Sequence, residues 1–473
     1  MKKTIKNFLL LFISLLITTI LSFFTFVFLG KKLSVEEYGK FNTLIALVSI
    51  VSIFVNNIAS GTVINRELSL NPKIGLSLTK RFILIRIISY LVGVIFIIIY
   101  VNSKGYNDKI IMISLALLLL GEIVWELFEQ VTFSYKVAII STVLNILGSL
   151  FWFIIVILLP LSVSKLYYFL PLYAVIVLIK GFLYFSVSVK KVILNIEVCV
   201  IDYSKIIKMS FPFLWIRILG TISSQLPTIL LGGYVSDSEA AFYSAGEKFT
   251  MPISLMINAI VKSTFPYLTK YYNEDKVKFN KFLSILIVNI IIIGSFIALL
   301  LTSTSQYWIV LILGEKYRNS IVPFNYQMWY IICVSFDTLI SLVFTTSYKQ
   351  RTLSIITTID VILYIPALII GINYGAEGIA IGKLIIAAIC VSYHLIVTYY
   401  VLDKHMKKID LFFAILYLAT LFITSIYINV LFYKLIILLF STLLILFYPN
   451  SVFYDSIKLL KKKISILKRK TNV

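Results

Sequence analysis

Residues 83–100 read ILIRIISYLVGVIFIIIY and contain a single charge, Arg86. A run of this length and polarity is what a helix needs to cross a hydrocarbon core of roughly 30 Å. Residues 283–301, LSILIVNIIIIGSFIALLL, carry no charge at all. Neither run alternates polar with apolar, as a barrel strand of about ten residues would. Backbone in lipid must satisfy its own hydrogen bonds, so both runs are read as transmembrane helices. The whole chain repeats the pattern. Of 473 residues, 60% are hydrophobic and 14% charged, against roughly 45–50% and 25% in soluble domains.

Candidate spans are 8–29, 41–63, 82–101, 110–130, 138–159, 166–187, 209–233, 242–266, 282–302, 321–345, 353–372, 376–400, 411–429 and 431–448. The last two carry the weakest signal, and 303–320, with Trp308, Gly314 and Lys316, reads as an interfacial segment. The expected fold class is an all-α polytopic membrane protein of about 12–14 transmembrane helices. Its expected division is an amino-terminal lobe over 1–200, a carboxy-terminal lobe over 201–403, two additional helices in 404–450 and a basic tail in 451–473. Lys2, Lys3 and Lys6 before an apolar run resemble a signal peptide. The run is too long and no small-residue cleavage site follows, so an uncleaved first helix is expected.

The formal net charge is +22. In a soluble chain that balance would point to nucleic acid. Here the basic residues sit in short loops between apolar runs, which excludes nucleic acid as the partner and encodes topology instead. With the amino terminus cytoplasmic, the 28 basic residues of one set of loops and termini include Arg66, Lys73, Lys80, Arg81, Lys190, Lys191, Lys205, Lys208 and the tail cluster from Lys458 to Lys470. This set outnumbers the opposite one by about threefold, placing both termini on the cytoplasmic face. The tail interleaves these charges with Leu459, Leu460, Ile464, Ile466 and Leu467, which fits either an amphipathic helix on the anionic leaflet or a charged tail that fixes topology.

Cys199, Cys333 and Cys390 are far apart, and His394 and His405 form no catalytic or metal pattern. There is no phosphate-binding loop and no dinucleotide fingerprint. No cofactor is expected, and energy must come from a gradient, a partner or the substrate's own concentration difference.

A short internal repeat links the ends of the first and seventh spans. Leu29-Gly30-Lys31-Lys32-Leu33-Ser34-Val35-Glu36-Glu37 matches Leu231-Gly232-Gly233-Tyr234-Val235-Ser236-Asp237-Ser238-Glu239 at Leu, Gly, Ser and Glu, at a constant offset. Paired halves around a midplane site are a frequent transporter plan.

Leu33-Ser34-Val35-Glu36-Glu37-Tyr38-Gly39 resembles the L-x-P-x-E-Y-G segment of the polysaccharide-exporter family, with Val35 where proline is common. Asp237 to Ala245 is similar to its second-half counterpart, followed by Phe265-Pro266. Leu313-Gly314-Glu315-Lys316-Tyr317 resembles the family's L-x-G-x-x-Y element, and Tyr374-Gly375-Ala376-Glu377-Gly378-Ile379-Ala380 its Y-G-x-x-G-x-A element. The ordered set resembles the O-antigen or capsule repeat-unit flippases (Wzx type), whose superfamily includes multidrug antiporters and the peptidoglycan-precursor flippase. The resemblance implies two six-helix lobes, often with two extra helices, and alternating access in a bacterial cytoplasmic membrane. It implies an undecaprenyl-diphosphate-linked oligosaccharide as substrate and membrane lipids as surroundings. The polymerase and chain-length proteins of the same pathway are the protein partners it implies.

Charges inside spans cost roughly 2.5–3.5 kcal/mol each at the centre of the bilayer. The basic ones are Arg86, Lys180, Arg217, Lys248, Lys262 and Lys383. Lys262 and Glu129 lie near helix ends, where snorkelling is expected. Arg217 is deeper, about 13 Å into its span, between Pro212 and Pro227. Guanidinium binds phosphate bidentately and stays protonated. Arg217, with Arg86, Lys248 and Lys383, is therefore the candidate cationic cavity for a diphosphate. Glu122, Glu126 and Glu129 share one helix face. For Glu122 and Glu126, as for Asp337 and Asp360, ion coupling and pairing with basic residues are both open. A multidrug antiporter of the same superfamily is the main rival function. It would favour an acidic cavity. A polymerase of similar hydropathy would need a large extracytoplasmic loop, which is absent, so no enzyme is expected.

Overall fold

The computed structural model describes residues 2–106, 108–135, 138–160, 165–192 and 202–401, together with Phe422, Ile436 and Leu439. Apart from those three residues, the spans expected at 411–429 and 431–448 and the basic tail lie outside them. The described elements are all helices: α1 (Lys2–Lys32), α2 (Val35–Ile58), α3 (Gly61–Leu70), α4 (Gly75–Ser103), α5 (Lys109–Ser134), α6 (Ala138–Leu158) and α7 (Leu166–Val192), then α8 (Tyr203–Tyr234), α9 (Asp237–Ser263), α10 (Phe265–Glu274), α11 (Lys276–Leu313), α12 (Ile321–Thr346), α13 (Gln350–Gly371) and α14 (Gly375–Val401). Among the described residues, 10 stretches are long and apolar enough to cross a membrane. One of them takes in both α13 and α14, and α9, with Glu247, Lys248 and Lys262, is not among them.

The same order occurs twice. Two long helices, a ten-residue helix and four long helices make α1–α7, and again α8–α14. The repeated Ser and Glu of the sequence sit at one structural point, the amino terminus of the second helix in each set. Ser34 Oγ accepts from Glu37 N at 3.1 Å, and the Glu37 carboxylate accepts from Ser34 N at 3.4 Å, a reciprocal capping box. Ser236 Oγ accepts from Glu239 N at 3.2 Å at the start of α9. With this cap in place, Val35 opens α2 without the proline common there.

Two departures from the hydropathy reading have local causes. The stretch 303–320 is not a separate segment. α11 runs unbroken to Leu313 because Thr302, Thr304 and Ser305 bond back to carbonyls of the preceding turn. Gly314, at φ 92°, then ends the helix. Trp308 packs edge-on against Phe249 and Phe324, at 4.5 and 4.8 Å. The short helices α3 and α10, in turn, fall in stretches too polar and too short to be read as spans.

The chain forms two compact units, Met1–Ser244 and Ala245–Val473, so the division falls within α9. In unit 1, α5 and α7 pack most extensively, with α2 against α8 and α1 against α6. Gly121 and Gly181 make the α5–α7 approach possible. A Cβ on Gly121 would lie 2.8 Å from Leu178 N, and one on Gly181 2.9 Å from the Gly121 carbonyl. Gly39, early in α2, similarly lies against the Asp237 backbone, where any Cβ would collide. Tyr106 adds a hydrogen bond to Asp237 Oδ1 at 2.8 Å. In unit 2, α14 packs against α12 and α13, and α11 against α12.

Gly121→Val forces a side chain into backbone that cannot yield. It is expected to destabilise by about 1–3 kcal/mol or more, read as a lower unfolding temperature in detergent. Gly220 has nothing within 4 Å of a built Cβ, so Gly220→Ala leaves that temperature unchanged or slightly raised.

Candidate functional site

In unit 1, Arg86 and Glu126 meet at a break between α2 and α3. The break leaves carbonyls without helical partners, and Arg86 of α4, 1% exposed, supplies them. Its Nε and Nη2 donate to Ala59 O at 3.2 and 2.9 Å, and Nη2 also donates to Asn56 O at 3.0 Å. Nη1 donates to Asn56 Oδ1 and Ile123 O, both at 3.2 Å. Nη2 pairs with Glu126 of α5 at 2.6 Å. The Glu126 carboxylate in turn lies against Gly61, the first residue of α3, near the positive end of that helix. Ser60 N donates to Ser210 Oγ of α8 at 2.9 Å. Every N–H direction of the Arg86 guanidinium thus meets a protein acceptor. Arg86 therefore neither snorkels nor keeps a donor for a diphosphate in this structure.

The other two carboxylates of the α5 stripe also have partners. Glu122 accepts a hydrogen bond from Ser52 of α2. Glu129 accepts from Ser141 and Asn145 of α6, both at 3.0 Å, and from Tyr184 of α7 at 3.2 Å, so it does not snorkel. Lys180 of α7 stands 3.2 Å above the Trp125 ring, within the field of both Glu122 and Glu129. Spacing in the sequence places the three glutamates on one face. Their partners come from four other helices and leave no local signature.

Arg217 differs from Arg86. It lies midway along α8, is exposed, and has no ion pair or hydrogen bond among the described residues. In unit 2, Lys383 of α14 is 4% exposed and pairs with Glu247 of α9 at 3.4 Å. Its Nζ lies 4.9 Å from the ring centre of Tyr330 and 5.9 Å from that of Tyr364, within cation–π range. Lys248, next in sequence to Glu247, is exposed and shares the field of that carboxylate. The structure thus brings Lys383 to the carboxylate that precedes Lys248 in the sequence. The two tyrosines are residues that composition alone could not single out from a chain with 30 of them.

Asp337 and Asp360 share a partner that the sequence hides. His394 of α14 places Nδ1 3.1 Å from Asp337 Oδ1 on α12 and Nε2 3.0 Å from Asp360 Oδ1 on α13. Tyr393 also donates to Asp360 Oδ1. His394 therefore joins the two aspartates, a link that spacing in the sequence does not reveal. Among the described residues no group of three or more His, Cys, Asp or Glu is arranged to hold a metal ion.

The sequence matches the family described as polysaccharide biosynthesis protein over residues 4–272. No curated protein matches it. Among solved structures, the lipid II flippase MurJ in an inward closed conformation is similar over 96% of this chain and 98% of its own, with TM-score 0.70 and 16% identity. An inward-facing multidrug resistance MATE family transporter of the MOP superfamily matches over 82% of this chain and 96% of its own, at TM-score 0.60 and 13% identity. The Vibrio cholerae MATE transporter VcmN matches over 86% and 99%, at TM-score 0.53 and 15% identity. At these identities the likeness is one of fold, the all-α polytopic architecture expected above. The chain is an integral membrane protein and belongs to the polysaccharide biosynthesis protein family.

Proposed function

We propose that the chain is a flippase. It carries undecaprenyl-diphosphate-linked oligosaccharide repeat units of a surface polysaccharide, such as O-antigen or capsule, across a bacterial cytoplasmic membrane. It works by alternating access, with both termini in the cytoplasm. The observation that carries this reading is Arg217, a guanidinium at membrane depth with no protein partner among the described residues. A charge there is expensive unless a polar cavity or an anion meets it, and a diphosphate offers the oxygens that guanidinium pairs with bidentately. Pro212 and Pro227, inside α8 on either side, each remove a backbone donor from that helix. Lys248 and Lys383 supply further positive charge in unit 2, where Tyr330 and Tyr364 offer ring faces and hydroxyls to a sugar.

A cation-exporting antiporter is the second reading. It is favoured by Asp337, whose side chain is 43% exposed inside a membrane helix.

Deleting the gene separates the two. Loss of surface glycan with accumulation of complete lipid-linked units on the cytoplasmic side is the expected outcome. An unchanged glycan with increased sensitivity to cationic drugs would establish the antiporter.

The two deep arginines are expected to fail in different ways. Arg217→Ala leaves normal amounts of protein in the membrane but does not restore export. Arg86→Ala leaves Glu126 and the α2–α3 carbonyls unpaired, a loss of about 3–5 kcal/mol, and the protein itself disappears from the membrane fraction. Arg86→Lys does not rescue it, because one ammonium cannot reach acceptors on several elements at once. Immunoblots of membranes beside the export assay read both effects, and normal export by Arg217→Ala would sink the cavity assignment.

A further inference from the structure

His394 stands between two carboxylates from two other helices and is itself 4% exposed. A neutral imidazole has one N–H and one lone pair. Here carboxylate oxygens lie at hydrogen-bond distance from both ring nitrogens. A neutral ring between two ionised carboxylates would aim its lone pair at an anion. Hydrogen bonding on both sides requires two protons shared among the three groups, either on an imidazolium or on imidazole plus one carboxylic acid. The other titratable groups facing the cluster are Tyr330 and Cys333 of α12, near Asp337, and Cys390 and Tyr393 of α14, beside Asp360. Among the described residues no lysine or arginine forms an ion pair with either aspartate. An imidazolium with two carboxylates carries one net negative charge, and gain or loss of a proton moves the cluster to neutral or to two negative charges. In low dielectric that difference is large. The geometry also discriminates against a metal cation. Hard cations need several converging oxygens, whereas the two Oδ1 atoms are held apart by the ring.

We propose that Asp337, His394 and Asp360 form a proton-binding site that couples translocation to a proton gradient, with His394 carrying the proton. The coupled substrate rests on the flippase reading above; the proton occupancy of the site does not. Proton loss weakens the contacts that join α13 to α14 and α14 to α12, so the cluster ties charge to the packing of three helices.

The test uses the full chain in vesicles with lipid-diphosphate-linked oligosaccharide. The steady-state distribution across the bilayer is read with a one-unit pH gradient, with a sodium gradient and with neither. The pH gradient is expected to shift the distribution by up to about tenfold per coupled proton, sodium to do nothing, and His394→Gln to lose the shift. A response to sodium alone, or a pH response unchanged in His394→Gln, overturns the proposal. Wild type that moves no such lipid overturns the substrate reading instead, and the site is then judged without substrate. Unfolding temperatures of wild type and His394→Gln in detergent are compared from about pH 5 to 9, the range where imidazole titrates. The imidazolium contacts are present at low pH and lost as the proton leaves, so the wild-type advantage should shrink as pH rises. A difference constant across that range overturns the site.

Discussion

A polar group in hydrocarbon must find its partner inside the protein, and the α2–α3 break shows how much of this fold depends on meeting that demand. Breaking a helix at membrane depth leaves orphan carbonyls on one side and orphan N–H groups on the other. Arg86 covers the carbonyls of Asn56 and Ala59, while Glu126 and Ser210 lie at the start of α3. One ion pair therefore joins α2, α3, α4 and α5. Around it Val63, Ile64, Phe82, Leu127 and Phe128 form a buried apolar cluster. The pair is surrounded by low-polarity packing, so neither member can be removed without leaving the other uncompensated.

The second set of helices breaks at the same point by a different device. α9 ends at Ser263 and α10 begins at Phe265-Pro266. Proline has no N–H to orphan and is pre-set for a first helical turn, and Thr264 and Ser263 bond back to Val261 and Ile260 carbonyls. A break closed by proline and hydroxyls needs no buried charge. The two sets thus share helix order and the Ser-Glu cap of their second helix, but not the chemistry of the following break. This is why the internal repeat is visible only around Ser34 and Ser236.

Hydropathy was enough to place the long helices, because a span is a property of consecutive residues. The capping signal at Ser34 was legible for the same reason. The continuation of α11 past Thr302 was not. Thr302, Thr304 and Ser305 lower the hydropathy, although their hydroxyls bond back to the preceding turn. The candidate site was legible only as a set of unexplained charges. Sequence shows that Arg86 and Arg217 both lie inside apolar runs. It does not show that Asn56, Ala59, Ile123 and Glu126 converge on the first. Likewise nothing local ties His394 to aspartates 57 and 34 residues away.

Sorting these charges by partner separates structure from work. Arg86 pairs with Glu126, and Lys180 and the other glutamates of α5 have partners on neighbouring helices within unit 1, and a group so enclosed changes little when a substrate arrives. Arg217 and Lys248 are exposed, and Asp337 is half-exposed. Transport requires groups whose stability differs between loaded and empty states, since a ligand shifts a conformational equilibrium only by its differential affinity. A fully paired arginine offers an incoming diphosphate no such difference. On the flippase reading proposed above, an unpaired one would offer nearly all of its electrostatic energy, and that asymmetry is the physical reason to look for the work at Arg217 and for the scaffold at Arg86.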